Sequence, residues 1–204
     1  MALPEGGRTH ASIQLRRHHE RLMLQTLRRG GEASTDTLAR KTRLTATATG
    51  SIVQSLHQGN LVLFSDSRRV GRVGQATIRL NPKGAFGIGV RLDRDSIETI
   101  LIDLGGEVLA RRVHDRILPS PEETLALVRN DIEAVLDVLD SGERRRLAGI
   151  GVAQPFDLGS WLDELVLCDP GFGAWEEADF AFELGEATGL PVFSENDGNA
   201  AAIA

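Results

Sequence analysis

The 204-residue chain has a single cysteine, Cys168, so it can close no internal disulfide and bears no mark of an oxidising compartment. No apolar run approaches the ~18 residues that a membrane-spanning helix needs. The opening residues, Met1 to Thr9, lack the apolar stretch of a secretory leader. These absences predict a cytoplasmic protein without membrane contact. The five histidines (His10, His18, His19, His57, His114) have no partners at metal-ligand spacing. They read as surface or helix-face residues, and neither a metal nor a cofactor is expected. Charge is plentiful but unevenly placed. The formal net charge is −6, yet residues 1–83 hold 14 Lys and Arg against 5 Asp and Glu, while residues 84–204 hold 9 against 24. A module at +9 suits a polyanion and one at −15 does not. The length allows one medium domain, or two of which one is small.

Residues 12–83 read as three helices and two strands. Leu15, Leu22, Met23, Leu24 and Leu27 form an apolar stripe in an Arg- and His-rich segment that stops at Gly30-Gly31. Ser34 or Thr35 can cap a short helix carrying Leu38 and Ala39. Leu44 fills the turn, and Thr45 caps a third helix with Ile52, Val53 and Leu56. Gly59 or Asn60 can end it, since either tolerates a left-handed backbone. The strands LVLFSD and ATIRLN flank a charged stretch, SRRVGRVGQ. This succession is a winged helix-turn-helix, whose third helix enters the major groove of DNA. Its exposed face would offer Thr45, Thr47, Ser51 and Gln54 to base edges, and Gln54 can pair an adenine edge. No arginine there can take guanine. Positioning therefore falls to Arg68, Arg69, Arg72 and the basic residues of the first two helices, which can meet phosphates. Arg72, within Val-Gly-Arg-Val-Gly, suits a narrow A·T-rich minor groove. A winged helix used only for protein contact is the competing reading, and the +9 charge opposes it.

Residues 84–204 follow an α/β pattern. FGIGVRL, SIETILID and EVLARRVH, joined by short turns, predict an antiparallel meander. Glu122 to Leu139 is an amphipathic helix, followed by Arg144-Arg145-Arg146 as a solvated helix end or loop. LAGIGVA is a buried strand before the turn QPFDLGS, and Trp161 and Trp175 read as packing anchors. Asp179 caps a helix that stops at Gly189; the strand PVFSE runs into Asn196-Asp197 and a last helix.

The meander, GIGVA before a proline turn, and above all SENDGNAAAIA resemble the repressor/ORF/kinase (ROK) family of sugar kinases and sugar-responsive repressors. The likeness runs from about Leu15 onward. A winged helix-turn-helix ahead of such a domain resembles the family's repressor branch, which includes xylose and N-acetylglucosamine repressors. The resemblance implies the first half of an actin-like, sugar-kinase-like domain. It implies that Asn196 holds a sugar hydroxyl and that Asp197 stands where the kinases' carboxylate accepts a hydroxyl proton. Read without it, both are the turn and N-cap of the last helix.

Two departures shape the expected function. The kinases' phosphate loop has the form Asp-x-Gly-Gly-Thr, and the same places here hold Arg91, Leu92, Asp93, Arg94 and Asp95. The chain also stops at Ala204, ahead of the family's Glu-Gly-His sugar motif, its zinc site and the second half of the fold. It is therefore expected to be a fragment or a truncated product with half a sugar pocket. The expectation is a sugar-responsive repressor of carbohydrate-use genes. It would bind double-stranded DNA and a small-molecule sugar effector, form a homodimer in the full-length form, and have no catalytic residues. Two readings compete: an ATP-dependent, glucokinase-like sugar kinase with an added helix-turn-helix, and a non-functional remnant that neither represses nor binds sugar.

Overall fold

Met23 and Leu27 lie one helical turn apart and are both fully buried, which fixes the inward face of the first helix. The computed structural model describes residues 5–65, 76–155 and 173–203. These form two compact units, one of residues 1–84 with 104–106, the other of 85–103 with 107–204.

The first unit opens with α1 (Glu5–Gly30). The stripe expected from Leu15 to Leu27 is buried only at its C-terminal end. Leu15 is exposed, because the elements that α1 packs against gather around Met23 and Leu27. Helix α2 (Thr35–Thr42) begins at Ser34, whose Oγ accepts from the Thr37 amide at 3.2 Å. Asp36 in its first turn and Arg40 and Lys41 in its last suit the helix dipole. Helix α3 (Ala46–Gln58) is capped by Thr45 and buries Thr49, Ile52, Val53 and Leu56 against α1 and α2. After it Asn60, not Gly59, takes the left-handed turn, with φ 60 against −74.

Three strands complete the unit in the order β1-β3-β2, all antiparallel: β1 (Glu32–Ala33), β2 (Val62–Ser65) and β3 (Thr77–Leu80). Val62, Ile78 and Leu80 face the helices. Strand β1 was not anticipated: two residues have no periodicity to read, and they pair only because β3 leaves an edge for them.

Asn81 closes this unit. Its Nδ2 donates to the Asn60 carbonyl at 2.8 Å and the Asn60 Oδ1 at 3.0 Å, and its amide donates to the Leu61 carbonyl at 2.9 Å. Gly84 lies so close that a Cβ there would sit 2.6 Å from the Asn60 carbonyl oxygen. Asn81→Ala leaves the left-handed Asn60 without its clamp. Loss of a part-buried pair of this kind costs about 1–2 kcal/mol, so thermal melting of the variant should show a clear drop. An unchanged melting temperature would mean that Asn60 holds its own conformation.

The second unit is a five-stranded mixed sheet, ordered β6-β5-β4-β7-β8. β4 (Phe86–Leu92), β5 (Ser96–Asp103) and β6 (Val108–Asp115) form the expected antiparallel meander. β7 (Leu147–Gln154) and β8 (Val192–Asn196) run parallel to β4. Parallel strands need crossovers. α4 (Pro121–Leu136) precedes β7, and α6 (Phe180–Thr188) precedes β8. Both pack on one sheet face, where Ile88, Val90, Leu101, Ile150, Val128, Ile132 and Phe180 form the core. The caps of α6 are those the sequence suggests: Asp179 Oδ1 accepts from the Phe182 amide, and Gly189 ends it at φ 69. α7 (Asp197–Ile203) follows β8 directly.

Two local features differ from expectation. α4 ends at Leu136, with Leu139 buried beyond it. Arg144 is a helix end, as expected: it closes α5 (Ser141–Arg144), which an Asp140–Glu143 capping box holds. His114 is on a strand rather than on a free surface, its Nε2 2.8 Å from Oδ2 of buried Asp131. Trp175 is buried and donates from Nε1 to the Pro119 carbonyl at 2.9 Å. Trp161 and Cys168 lie outside the described residues.

Candidate nucleic-acid interface and ligand site

Helix α3 turns Thr47, Ser51 and Gln54 outward, at i, i+4 and i+7, opposite its buried face. Three short polar side chains therefore share one solvent-facing stripe with free hydrogen-bonding capacity. Thr45 is exposed too, but its Oγ1 accepts from the Ala48 amide at 3.3 Å. It serves the helix start and is not equivalent to the other three. Gly50 flanks the stripe, and a Cβ built there would meet nothing within 4 Å.

Cations surround this helix in the chain. Arg28 and Arg29 are exposed in the last turn of α1. Arg40, Lys41 and Arg43 are exposed at the end of α2 and in the turn before α3. Arg79 is exposed on β3, paired in register with Glu32. The Glu32 carboxylate accepts from Thr77 Oγ1 at 2.7 Å and Ser65 Oγ at 3.3 Å, tying the outer ends of β2 and β3 together. Arg68, Arg69 and Arg72 lie outside the described residues. Sequence reasoning did not single out Arg43. It has φ 57 at the α2 C-cap, a place normally signalled by Gly or Asn, and no such signal was present.

In the second unit, Asn196 and Asp197 sit at the carboxyl ends of the parallel strands, where open α/β sheets bind ligands. Asn196 Oδ1 accepts from the amides of Gly198 at 3.0 Å and Asn199 at 3.3 Å, so it does cap the following turn. Asp197 Oδ1 accepts from the Gly198 amide at 2.8 Å, and its side chain is exposed. Glu195 beside them has its pKa lowered by the Asn199 side-chain hydrogen bond and then by the Asn196 amide. Gln154, opposite Asn196 in register, has a buried Oε1 with no hydrogen-bond partner among the described residues.

The β4–β5 turn is closed on itself. Arg91 reaches Asp93 Oδ2 at 3.3 Å, Ser96 Oγ at 3.3 Å and Glu98 Oε2 at 3.6 Å, and Glu98 Oε1 meets Arg111 Nε at 2.6 Å. Asp93 Oδ1 accepts from the Arg94 amide at 2.8 Å, and the Asp93 amide donates to the Ser96 carbonyl at 2.9 Å. The turn contains no glycine whose bare backbone could wrap a phosphate. Among the described residues no group of three His, Cys, Asp or Glu could hold a metal, and no helix is long and apolar enough to cross a membrane.

No protein-family model matches the chain. The xylose repressor of Bacillus spizizenii is 26% identical over 186 residues, covering 90% of this chain and 47% of the repressor. A solved ROK-family transcriptional regulator, described as a homologue of the E. coli MLC protein, superposes with a TM-score of 0.62 at 23% identity, over 93% of this chain and 48% of that one. The chain is thus similar over nine-tenths of its length to xylose repressors, and it shares the fold of a ROK-family regulator. The glucokinase of Thermotoga maritima is 31% identical, but over 113 residues, 55% of this chain and 34% of the enzyme. Both the helical unit and the mixed-sheet unit fall within the likeness to these regulators. The chain spans about half the length of the curated relatives it matches.

Proposed function

We propose that the first unit is a winged helix-turn-helix that binds double-stranded DNA, and that the second is the start of a sugar-sensing domain with an actin-like, sugar-kinase-like fold. The protein then acts as a sugar-responsive transcriptional repressor in the cytoplasm, where its operator is, and the full-length form works as a homodimer on paired half-sites. The observation that carries this reading is the outward stripe Thr47, Ser51 and Gln54 on a helix flanked in the chain by exposed cations. Arg68, Arg69 and Arg72, between β2 and β3 in the chain, belong to the same basic module and are assigned to DNA, with Arg72 for the minor groove. Likeness to a xylose repressor along nine-tenths of the chain supports it. A salt titration of duplex binding is the test.

The partial likeness to a glucokinase favours a second reading, an ATP-dependent sugar kinase. Against it stands the cross-linked β4–β5 turn, in which Asp93 and Asp95 occupy phosphate-loop positions. We therefore assign no catalytic residue.

Asn196 and Asp197 are the proposed sugar contacts. Asn196 Oδ1 already serves two amides, which leaves its Nδ2 and the Asp197 carboxylate for a ligand. So few groups on an open surface hold a sugar weakly, with Kd around 1 mM or above, about 4 kcal/mol. Calorimetry of this chain against pentoses, hexoses and amino sugars should show weak heats that vanish in Asp197→Ala. Micromolar binding, or weak binding indifferent to Asp197, would remove this assignment.

A further inference from the structure

At two positions the helical unit holds the residue that its own backbone disfavours. Arg43, at the C-cap of α2, has φ 57 and ψ 33. A side chain is strained in that left-handed conformation, which glycine adopts freely. Gly50 is the reverse case. It lies inside α3, where alanine forms helix better. Nothing within 4 Å would obstruct a methyl group there, so no packing inside the unit asks for its absence. Both choices lower stability, and among the described residues the unit shows no packing gain from either.

The two positions border the same surface. Arg43 is exposed and comes three residues before Ala46, the first residue of α3. Gly50 is three residues after Thr47 and four before Gln54, so it is their neighbour on the helix surface. We propose that duplex DNA occupies this surface, with the Arg43 guanidinium on a backbone phosphate and Gly50 admitting a base edge close to the α3 backbone. This deepens the DNA-binding reading above and rests on it. A guanidinium forks onto phosphate oxygens and stays charged at any physiological pH. Arg43 ends a run with Arg40 and Lys41, and the first turn of α3 carries no acidic residue to oppose it. In a helix-turn-helix the turn before the recognition helix rides at the rim of the major groove, where phosphates line up. A glycine within the reading helix leaves room for the close approach that a Cβ would block. Stability given up without internal return is what a binding surface leaves behind.

Arg43→Gly and Gly50→Ala, made in the full chain, test the proposal with effects of opposite sign on folding and on binding. Two duplexes serve as probes: one selected from a randomised library by the wild-type chain, and a scrambled version of it. Arg43→Gly should melt a few degrees higher. It should bind both duplexes several-fold more weakly, with the slope of log K against log salt shallower by about 0.9, the loss of one phosphate contact. Arg43→Lys should keep most of that slope. Gly50→Ala should also melt higher and keep the wild-type salt slope, but bind the selected duplex about tenfold more weakly while binding the scrambled one as before. Variants that melt higher and bind both duplexes as wild type would overturn the proposal while leaving the DNA-binding reading intact. Lower melting would make both residues structural and overturn it as well. A wild-type chain that binds no duplex fails the underlying reading first.

Discussion

Raising salt from roughly 50 to 200 mM should weaken duplex binding by the full chain about 10³-fold, with log K falling linearly in log salt. The magnitude follows from the number of cations available. Arg28, Arg29, Arg40, Lys41, Arg43 and Arg79 are exposed in the helical unit, and each neutralised phosphate releases about 0.9 counterion. Six such contacts give a slope of about −5. Residues 84–204 carry a net charge of −15 and repel the duplex, so no compensating contact comes from them. Anisotropy of a labelled duplex over a salt series gives the slope directly. Binding that survives at high salt, or that persists after charge reversal of these cations, would place the interface elsewhere.

Incubated with ATP, magnesium and a mixed sugar panel, the chain should release no sugar-dependent ADP. Phosphoryl transfer depends on holding and neutralising the phosphates, and kinases that do so turn over at about 1–100 s⁻¹. A carboxylate beside a sugar hydroxyl supplies only part of that acceleration. Here Asp197 is present, but the β4–β5 turn is occupied by its own ion pairs. Arg91 is already engaged by Asp93 and Glu98. Asp93 and Asp95 add negative charge where a highly negative ligand would sit. A coupled assay for ADP decides the matter. Sugar-dependent turnover that disappears in Asp197→Asn would make this a kinase.

The elements most legible in the sequence are those whose ends carry a chemical signal. Ser34, Thr45 and Asp179 begin helices because their side chains accept backbone amides, and Gly189 ends one because it adopts a positive φ without strain. The meander of β4 to β6 was readable from its β-rich runs and short turns. What escaped lacks a local signal. β1 exists through its partner alone, and the burial of α1 is set by where its neighbours sit rather than by its own apolar stripe. His114 and Asp131, 17 residues apart, meet only because α4 packs across the sheet. At the candidate site, the outward position of Thr47, Ser51 and Gln54 follows from helical periodicity. The conformation of Arg43 could not be foreseen, since an arginine gives no warning of a left-handed backbone. The hydrogen bonds of Asn196 were likewise readable as a cap, but the orphaned Gln154 oxygen next to it was not.

Strand β6 is an edge of the five-stranded sheet among the described residues, and Val108, Leu109 and Val113 are exposed along it. An open strand with apolar side chains is a template on which a second molecule can add its own strand. Here the exposed Arg111 and Arg112 interrupt the apolar sequence, and Arg111 is held in place by Glu98 of the neighbouring strand. A copy of the same strand pairing in a register that sets its arginines against these two meets like-charge repulsion. The ion pair that stiffens the sheet therefore also guards its rim.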